Sequence, residues 1–177
     1  MDAVYRFISG TDIRALGLSY IEINLSVAQC LQKDLPTKIS YLRRKYHVEP
    51  DRVNLEITET TYDSIGNVMD NNLRDLTEMG YTFSLDDYGT GYSNMQRVAK
   101  LPLKIIKLDK SLVDDMSSDD GYSIVSNTVK MMRDIDKELV AEGVEILCKR
   151  ITDALSSSDH PQKGKLIAYF TRMLTAS

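Results

Sequence analysis

The sequence predicts an α/β protein built on a parallel sheet or a (β/α) barrel, and two observations support this fold class. Five short segments are rich in Ile, Leu and Val, and each ends in acidic or amide residues. Helical patterns of apolar residues lie between them, so that strands and helices alternate along the chain. Such alternation is typical of parallel sheets, because each helix returns the chain to the start of the next strand.

The five strands are predicted from their length and from the alternation of polar and apolar residues that several of them show. In chain order they are YIEINLS (20–26), VNLEITE (53–59), YTFSLDD (81–87), KIIKLDK (104–110) and ELVAEGVE (138–145).

Three helices are predicted between these strands from apolar residues at helical spacing. The first begins at Asp34 or Thr37, the second begins at Asp63 or Ser64 and ends at Gly80, and the third lies near residues 120–136. The apolar positions that define them are Ile39, Leu42 and Tyr46 in the first, Ile65, Val68, Met69, Leu73, Leu76 and Met79 in the second, and Ile124, Val125, Thr128, Met131, Met132 and Ile135 in the third.

Length and composition indicate one soluble globular domain. The chain has 177 residues, of which 42% are hydrophobic and 27% charged. No window approaches the roughly 18 apolar residues of a membrane span, and the N-terminus has no secretory leader pattern, so we expect no membrane partner. Cys30 and Cys148 are far apart and form no CxxC pattern. We therefore expect reduced thiols and a cytoplasmic location.

The charge distribution bears on the class of ligand. The net charge is −4, and Lys and Arg are spread along the chain. Proteins that bind nucleic-acid polymers usually carry a basic stripe that displaces counterions, so a polymer of this kind is not an expected partner. A small anionic ligand held through metal ions remains open.

Polar residues recur near the carboxyl end of each predicted strand, at separations of 21 to 35 residues. These separations are close to the length of a βα unit, about 30 residues. In a barrel, the loops at this end of the strands converge and form the active site, so the side chains could meet around one pocket. The residues are Asn24, Glu56, Asp86 with Asp87, Lys107 and Glu142.

Oxygen ligands of this kind favour Mg²⁺ or Mn²⁺ over zinc. Adjacent Asp86 and Asp87 could share two ions about 3.5 to 4 Å apart, an arrangement that stabilises both oxygens in phosphodiester cleavage. Lys107 could hold the attacking water. Taken singly, each acidic residue could instead be a solvated turn residue or a helix cap, and Asp109 with Lys110 could form an exposed salt-bridged turn.

Five motifs in this order resemble the EAL domain family over roughly residues 1–150. They are NLSVAQ (24–29), LEITET (55–60), DDYGTGYSN (86–94), LPLKIIKLDKSLV (101–113) and VAEGVE (140–145). The resemblance implies a TIM-type (β/α)₈ barrel that binds two Mg²⁺ or Mn²⁺ ions. It also implies hydrolysis of cyclic di-GMP to linear pGpG, and a possible homodimer.

The resemblance also implies roles for individual residues. Asn24, Glu56 and Asp86 would bind the first metal ion. Asp86, Asp87 and Glu142 would bind the second, and Lys107 would contact the nucleophilic water. Glu59 would anchor the loop at residues 86–94, and Glu145 would line the substrate region.

The sequence departs from the family pattern in two places. The Glu-Ala-Leu tripeptide and its strand are absent, and the missing glutamate would be a ligand of the first metal. Residues 155–177 do not resemble the strand that closes the family's barrel. We therefore expect an incomplete TIM-type barrel with about five of the eight strands. The expected parts are a partial EAL domain at 1–154 and a divergent tail at 155–177.

These departures predict that the chain alone is inactive or nearly so. Two alternatives stay open: a non-catalytic module that binds cyclic di-GMP or a protein, and a gene remnant without function. Another metal-dependent enzyme on a (β/α) barrel is disfavoured, because its motifs would not match in five places.

Overall fold

A parallel five-stranded sheet forms the centre of the protein. The computed structural model describes residues 1–58, 67–90, 95–116 and 118–144, with the backbone alone for Arg97. All four strand pairings are parallel, and the spatial order β1-β2-β3-β4-β5 follows the chain. The strands are β1 (Ile21–Asn24), β2 (Val53–Thr58), β3 (Thr82–Tyr88), β4 (Leu103–Leu108) and β5 (Glu138–Ala141). The predicted α/β class and all five strands are confirmed.

Helices connect the strands, as the alternating pattern predicts. They are α1 (Asp2–Gly10), α2 (Val27–Cys30), α3 (Leu35–Tyr46), α4 (Asn67–Glu78), α5 (Met95–Lys100), α6 (Lys110–Asp115) and α7 (Asp119–Asp134), with a 3₁₀ turn at Pro50–Arg52. Helix α3 follows Asp34, as expected, but the Asp34 carboxylate pairs with Lys38 at 3.1 Å and makes no cap hydrogen bond. The predicted starts of the second helix, Asp63 and Ser64, lie outside the described residues.

The apolar helix faces are narrower than the sequence predicts. In α7, Val125, Thr128 and Met132 are buried, whereas Ile124 is 53% exposed. Met79, just after α4, is also exposed. Both exposed residues flank the buried stripe of their helix, and single apolar side chains at such positions are common on protein surfaces.

Alternation along the strands gives the sheet an apolar face and a polar face. The apolar face joins the helices in one core, which includes Leu55, Ile57, Phe83, Leu85 and Ile106. Strand β2 is buried on both faces, since Asn54 and Glu56 are as inaccessible as the apolar residues beside them. The opposite face therefore collects buried polar side chains.

Within the described residues the sheet is open, because β1 and β5 each pair with one neighbouring strand. This open sheet agrees with the expected incomplete TIM-type barrel of about five strands. The predicted domain boundary at 154/155 lies outside the described residues and stays a prediction. None of the helices in the described ranges has the length and the apolar run that a bilayer crossing needs.

Candidate active site

The polar face of the sheet carries side chains from four adjacent strands, joined by hydrogen bonds. Ser84 Oγ donates to Asn54 Oδ1 at 2.8 Å, and Asn54 Nδ2 donates to Thr82 Oγ1 at 3.1 Å. These bonds link β2 and β3 beneath the carboxyl ends of the strands. They also satisfy Asn54 and Ser84, both fully buried, which would otherwise be costly to remove from water.

Lys107 is the centre of this face. Its Nζ donates to Glu56 Oε2 at 2.7 Å and to Glu22 Oε2 at 2.8 Å, so β4 is joined to β2 and β1. Burial alone would lower the pKa of Lys107, but the hydrogen bonds to Glu22 and Glu56 outweigh burial and raise that pKa. Lys107 is therefore a stably charged ammonium.

Glu56 lies between this ammonium and a second carboxylate. The pKa of Glu56 is raised to about 7, first by burial and then by a hydrogen bond with Asp86, against the opposing effect of Lys107. Asp86 Oδ1 is buried and has no hydrogen-bond partner among the described residues. A buried oxygen without a partner is unfavourable unless a cation or a donor reaches it. The oxygen-only donor set and this unpaired atom fit a hard divalent cation.

The adjacent aspartates do not continue a regular strand. Asp87 has φ 57°, and the β3–β4 register shifts between Leu85 and Tyr88. Such an irregularity re-aims side chains at the end of a strand. The Asp87 carbonyl accepts hydrogen bonds from the backbone and the hydroxyl of Thr90, at 3.2 and 3.0 Å. Neighbouring carboxylates can therefore leave the strand in directions that regular alternation would not give.

Glu142 lies just after β5, and its backbone N–H donates to Leu108 O at 3.0 Å. Its pKa is raised by burial first, and then by the charge of Asp86, with smaller contributions from Asp87 and Asp109. The carboxylates of β3 and of the β5 end therefore lie within electrostatic range of each other. Lys107 acts in the opposite direction and lowers the pKa of Glu142.

Asn24 and Asp109 complete the carboxyl edge of the sheet. Asn24 is exposed at the end of β1, directly opposite Glu56 in the register. Asp109 accepts a hydrogen bond from the Ser111 backbone N–H at 2.8 Å and caps α6. Of the two expectations for Asp109, the helix cap is therefore the one observed.

The structure brings six predicted residues to one edge of the sheet. Direct contacts join Lys107 to Glu56 and Glu56 to Asp86. Among the described residues, no three Asp, Glu, His or Cys side chains are grouped closely enough to hold a metal ion by themselves. Glu59 and Glu145 lie outside the described residues.

Among the described hydrogen-bond partners of Lys107, Glu22 is not predicted from the sequence. It precedes Asn24 by two residues and so shares its face of β1. That period-two relationship could have identified it, although Glu22 lies before the strand end at which the other polar residues recur.

Similar proteins match most of the chain. The model of the EAL domain family matches residues 3–146. Signaling protein YkoW of Bacillus subtilis (strain 168) is 32% identical over 144 residues, 80% of this chain and 18% of YkoW. The cyclic di-GMP phosphodiesterase RocR of Pseudomonas aeruginosa is 33% identical over 126 residues, 71% of this chain and 32% of RocR. The chain thus spans 18% to 32% of the length of these relatives.

Solved structures are similar over a larger share of the chain. The c-di-GMP complex of the PaMucR phosphodiesterase aligns with a TM-score of 0.71 and 26% identity, over 95% of this chain and 63% of that chain. The manganese/cy-diGMP complex of Klebsiella pneumoniae BlrP1 at pH 6 aligns with a TM-score of 0.72 and 26% identity, over 81% and 36%. The similarity therefore covers the strands that carry the polar face.

Proposed function

Because the chain belongs to the EAL domain family, we propose that it is a metal-dependent phosphodiesterase domain that takes cyclic di-GMP as substrate and yields linear pGpG. The observation that carries this proposal is the cluster of Lys107, Glu56 and Asp86 at the carboxyl edge of the sheet. The unpaired, buried Asp86 Oδ1 supports a cation there. Similar solved structures are complexes with c-di-GMP and with manganese, which supports this substrate and a divalent metal.

The proposed ligands divide between two ions. Asn24, Glu56 and Asp86 would hold the first, and Asp86, Asp87 and Glu142 the second. Mg²⁺ or Mn²⁺, when bound, supplies Lewis-acid stabilisation of the charge that develops on phosphoryl oxygens. The shared role of Asp86 is supported by its proximity to Glu56 and by its electrostatic effect on Glu142.

Lys107 would orient the attacking water. An ammonium has three N–H donors, and two of them reach the carboxylates of Glu22 and Glu56. The third is proposed to donate to the water, and Glu56 restricts the direction from which it does so. Such orientation supplies catalysis by placing the reacting atoms in line.

The loop anchor Glu59 and the substrate-lining Glu145 stay parts of the same proposal, as do a homodimer and a cytoplasmic location. The prediction that the 177-residue chain alone is inactive or nearly so also stays a prediction. The lack, among the described residues, of three acidic, histidine or cysteine side chains in ligating arrangement supports it. The same observation favours a second candidate function, binding of cyclic di-GMP without turnover.

The experiment is a conversion assay with the purified chain, cyclic di-GMP and either Mn²⁺ or Mg²⁺, followed by chromatography of the nucleotides. Asp86→Asn is the control for the site. Formation of pGpG by the chain, but not by the variant, supports the phosphodiesterase and overturns the prediction of inactivity. Without product, equilibrium dialysis with cyclic di-GMP and Ca²⁺ follows, and binding lost in Asp86→Asn supports the non-catalytic module. A chain that neither forms pGpG nor binds cyclic di-GMP would overturn both functions.

A further inference from the structure

Glu22 has no role in the reaction proposed above, yet it contacts the central lysine as closely as Glu56 does. The distances from Lys107 Nζ are 2.8 Å to Glu22 Oε2 and 2.7 Å to Glu56 Oε2. We propose that Glu22 is a positioning residue, which holds the Lys107 ammonium in place and so leaves Glu56 available to a divalent cation. The inference rests on the proposed function, because it assumes that Glu56 binds the cation.

Charge balance is the first argument. The Lys107 side chain is 11% exposed and the Glu56 side chain 6%, so the ammonium needs a nearby negative charge in either state of the site. When Glu56 shares its charge with a cation, it no longer neutralises Lys107 fully. Glu22 then remains as the counter-charge. Its side chain is 31% exposed, so it contacts water as well as the lysine.

Geometry is the second argument. Glu22 and Glu56 approach Nζ from different strands, β1 and β2, while the lysine extends from β4. Two fixed acceptors restrict the ammonium much more than one, because a single acceptor permits rotation about the hydrogen bond. The third N–H donor of Lys107 therefore keeps one direction. Ser84 Oγ lies 3.5 Å from Glu22 Oε1 and bounds the other side of this carboxylate.

A simpler explanation is that Glu22 acts only as a distant negative charge. Glu138 provides the matched control, since its register partner Ile105 precedes Lys107 by two residues and thus shares its face. Glu138 pairs with the exposed Lys104 at 3.3 Å and not with Lys107. Glu138→Gln therefore removes one charge from the same region without altering the contacts of the central ammonium.

The test is the affinity of the full 177-residue chain for Mn²⁺, measured by electron paramagnetic resonance of the free ion. We expect Glu22→Gln to weaken Mn²⁺ binding about 10- to 100-fold, as is typical when a residue that orients a ligand is replaced. We expect Glu138→Gln to change it by about twofold or less, because exposed charges contribute little. In a Lys107→Met background, Glu22→Gln should lower the Mn²⁺ affinity no more than Glu138→Gln does, since the contact between Glu22 and Lys107 is already lost.

Glu22→Asp separates position from charge and keeps the test valid if Lys107→Met or Glu22→Gln does not fold. It retains the negative charge but is one methylene shorter, so we expect an affinity between those of the wild type and Glu22→Gln. Circular dichroism melts check that each variant is folded. The inference is overturned if Glu22→Asp binds Mn²⁺ like the wild type, or if Glu22→Gln equals Glu138→Gln.

The Mn²⁺ measurement needs no turnover, so its outcome is separate from that of the proposed function. If Glu22→Gln weakens Mn²⁺ binding as described but the wild-type chain does not convert cyclic di-GMP, the result supports the positioning role alone. A wild-type chain that binds no Mn²⁺ overturns both.

Discussion

Lys107 and Glu56 form a buried ion pair, with 2.7 Å between Nζ and Oε2, that spans from the fourth strand to the second. Removing one partner of such a pair leaves the other charge buried and unpaired, which typically costs about 3 to 5 kcal/mol. The pair is therefore a structural element of the open sheet as well as a part of the candidate site. Its contribution can be measured without any assumption about catalysis.

Lys107→Met should lower the free energy of unfolding by about 3 kcal/mol at pH 8, because the charges of Glu56 and Glu22 then lack their cation. Urea denaturation followed by circular dichroism measures this change. Lys104→Met is the matched control on the same strand, since Lys104 is exposed and its pair with Glu138 is a surface pair. We expect the control to change stability by about 0.5 kcal/mol or less. Equal stabilities of the two variants would contradict the structural role of the ion pair.

Tyr5→Phe should lower the free energy of unfolding by about 1 kcal/mol, the usual net value of a buried hydrogen bond. Tyr5 in α1 donates its hydroxyl to Tyr81 Oη at 2.9 Å, and both residues are almost fully inaccessible. Urea denaturation of Tyr5→Phe, Tyr81→Phe and the double variant tests the pair. Since the double variant leaves no orphaned hydroxyl, its loss should be smaller than the sum of the single losses. Strictly additive losses would show that the hydroxyls do not interact.

Asn72→Ala should destabilise the chain by about 2 kcal/mol, since it leaves buried acceptors without a donor. The buried Asn72 Nδ2, in α4, donates to the carbonyl oxygens of Cys30 and Gln32, each at 2.8 Å. Asn71→Ala is the matched control, because Asn71 is exposed and its side chain accepts a hydrogen bond from Arg74 on the same helix. Thermal denaturation should separate the two variants by several degrees. If Asn71→Ala destabilises the chain as much as Asn72→Ala does, the destabilisation is due to helix propensity and not to the lost hydrogen bonds.

The fold follows closely from the sequence, because period-two and helical patterns are local and the strand order repeats the chain order. The site is predicted only in part. Alternation along each strand fixes which face a residue occupies. The shared face of Asn24, Glu56 and Lys107 could therefore be predicted from the sequence. The contact between Glu22 and Lys107 joins β1 to β4, which are three inter-strand steps apart. No pattern within one segment contains that information.

The local geometry after β3 is also beyond simple pattern reading. Regular alternation would send Asp86 and Asp87 to opposite faces, yet the register shift and the positive φ of Asp87 break that rule. Likewise, Asp109 could form either a salt-bridged turn or a helix cap. The choice depends on the helix that follows, in which Ser111 offers both its N–H and its hydroxyl.

Asp109 gives a pH dependence with a definite sign. Its pKa is lowered from the ordinary value of 3.8, first by the hydrogen bond from the Ser111 side chain. A carboxyl group whose pKa is lower in the folded state stabilises that state above its unfolded pKa, and this contribution disappears as the pH falls through the folded value. Asp109→Ala should therefore cost about 1 kcal/mol at pH 6, through loss of the cap. The difference from the wild type should shrink below pH 3.8. Urea denaturation at pH 6 and pH 3 measures it, and a difference that does not depend on pH would contradict the charged cap.

The effect of Asp86→Asn on the stability of the chain should change sign when Mn²⁺ is added. In the absence of metal, the Asp86 carboxylate opposes ionisation of Glu56 and keeps one buried oxygen without a partner among the described residues, so its neutral replacement should be at least as stable as the wild type. With Mn²⁺ at 100 times its dissociation constant, the wild type should gain about 2.7 kcal/mol, because the ion binds only the folded state. The variant should gain little. Thermal melts with EDTA and with Mn²⁺ measure both effects, and Asp75→Asn on the outer helix α4 controls for general loss of charge. An equal Mn²⁺-dependent gain in stability for the wild type and Asp86→Asn would show that the cation does not bind at this edge of the sheet.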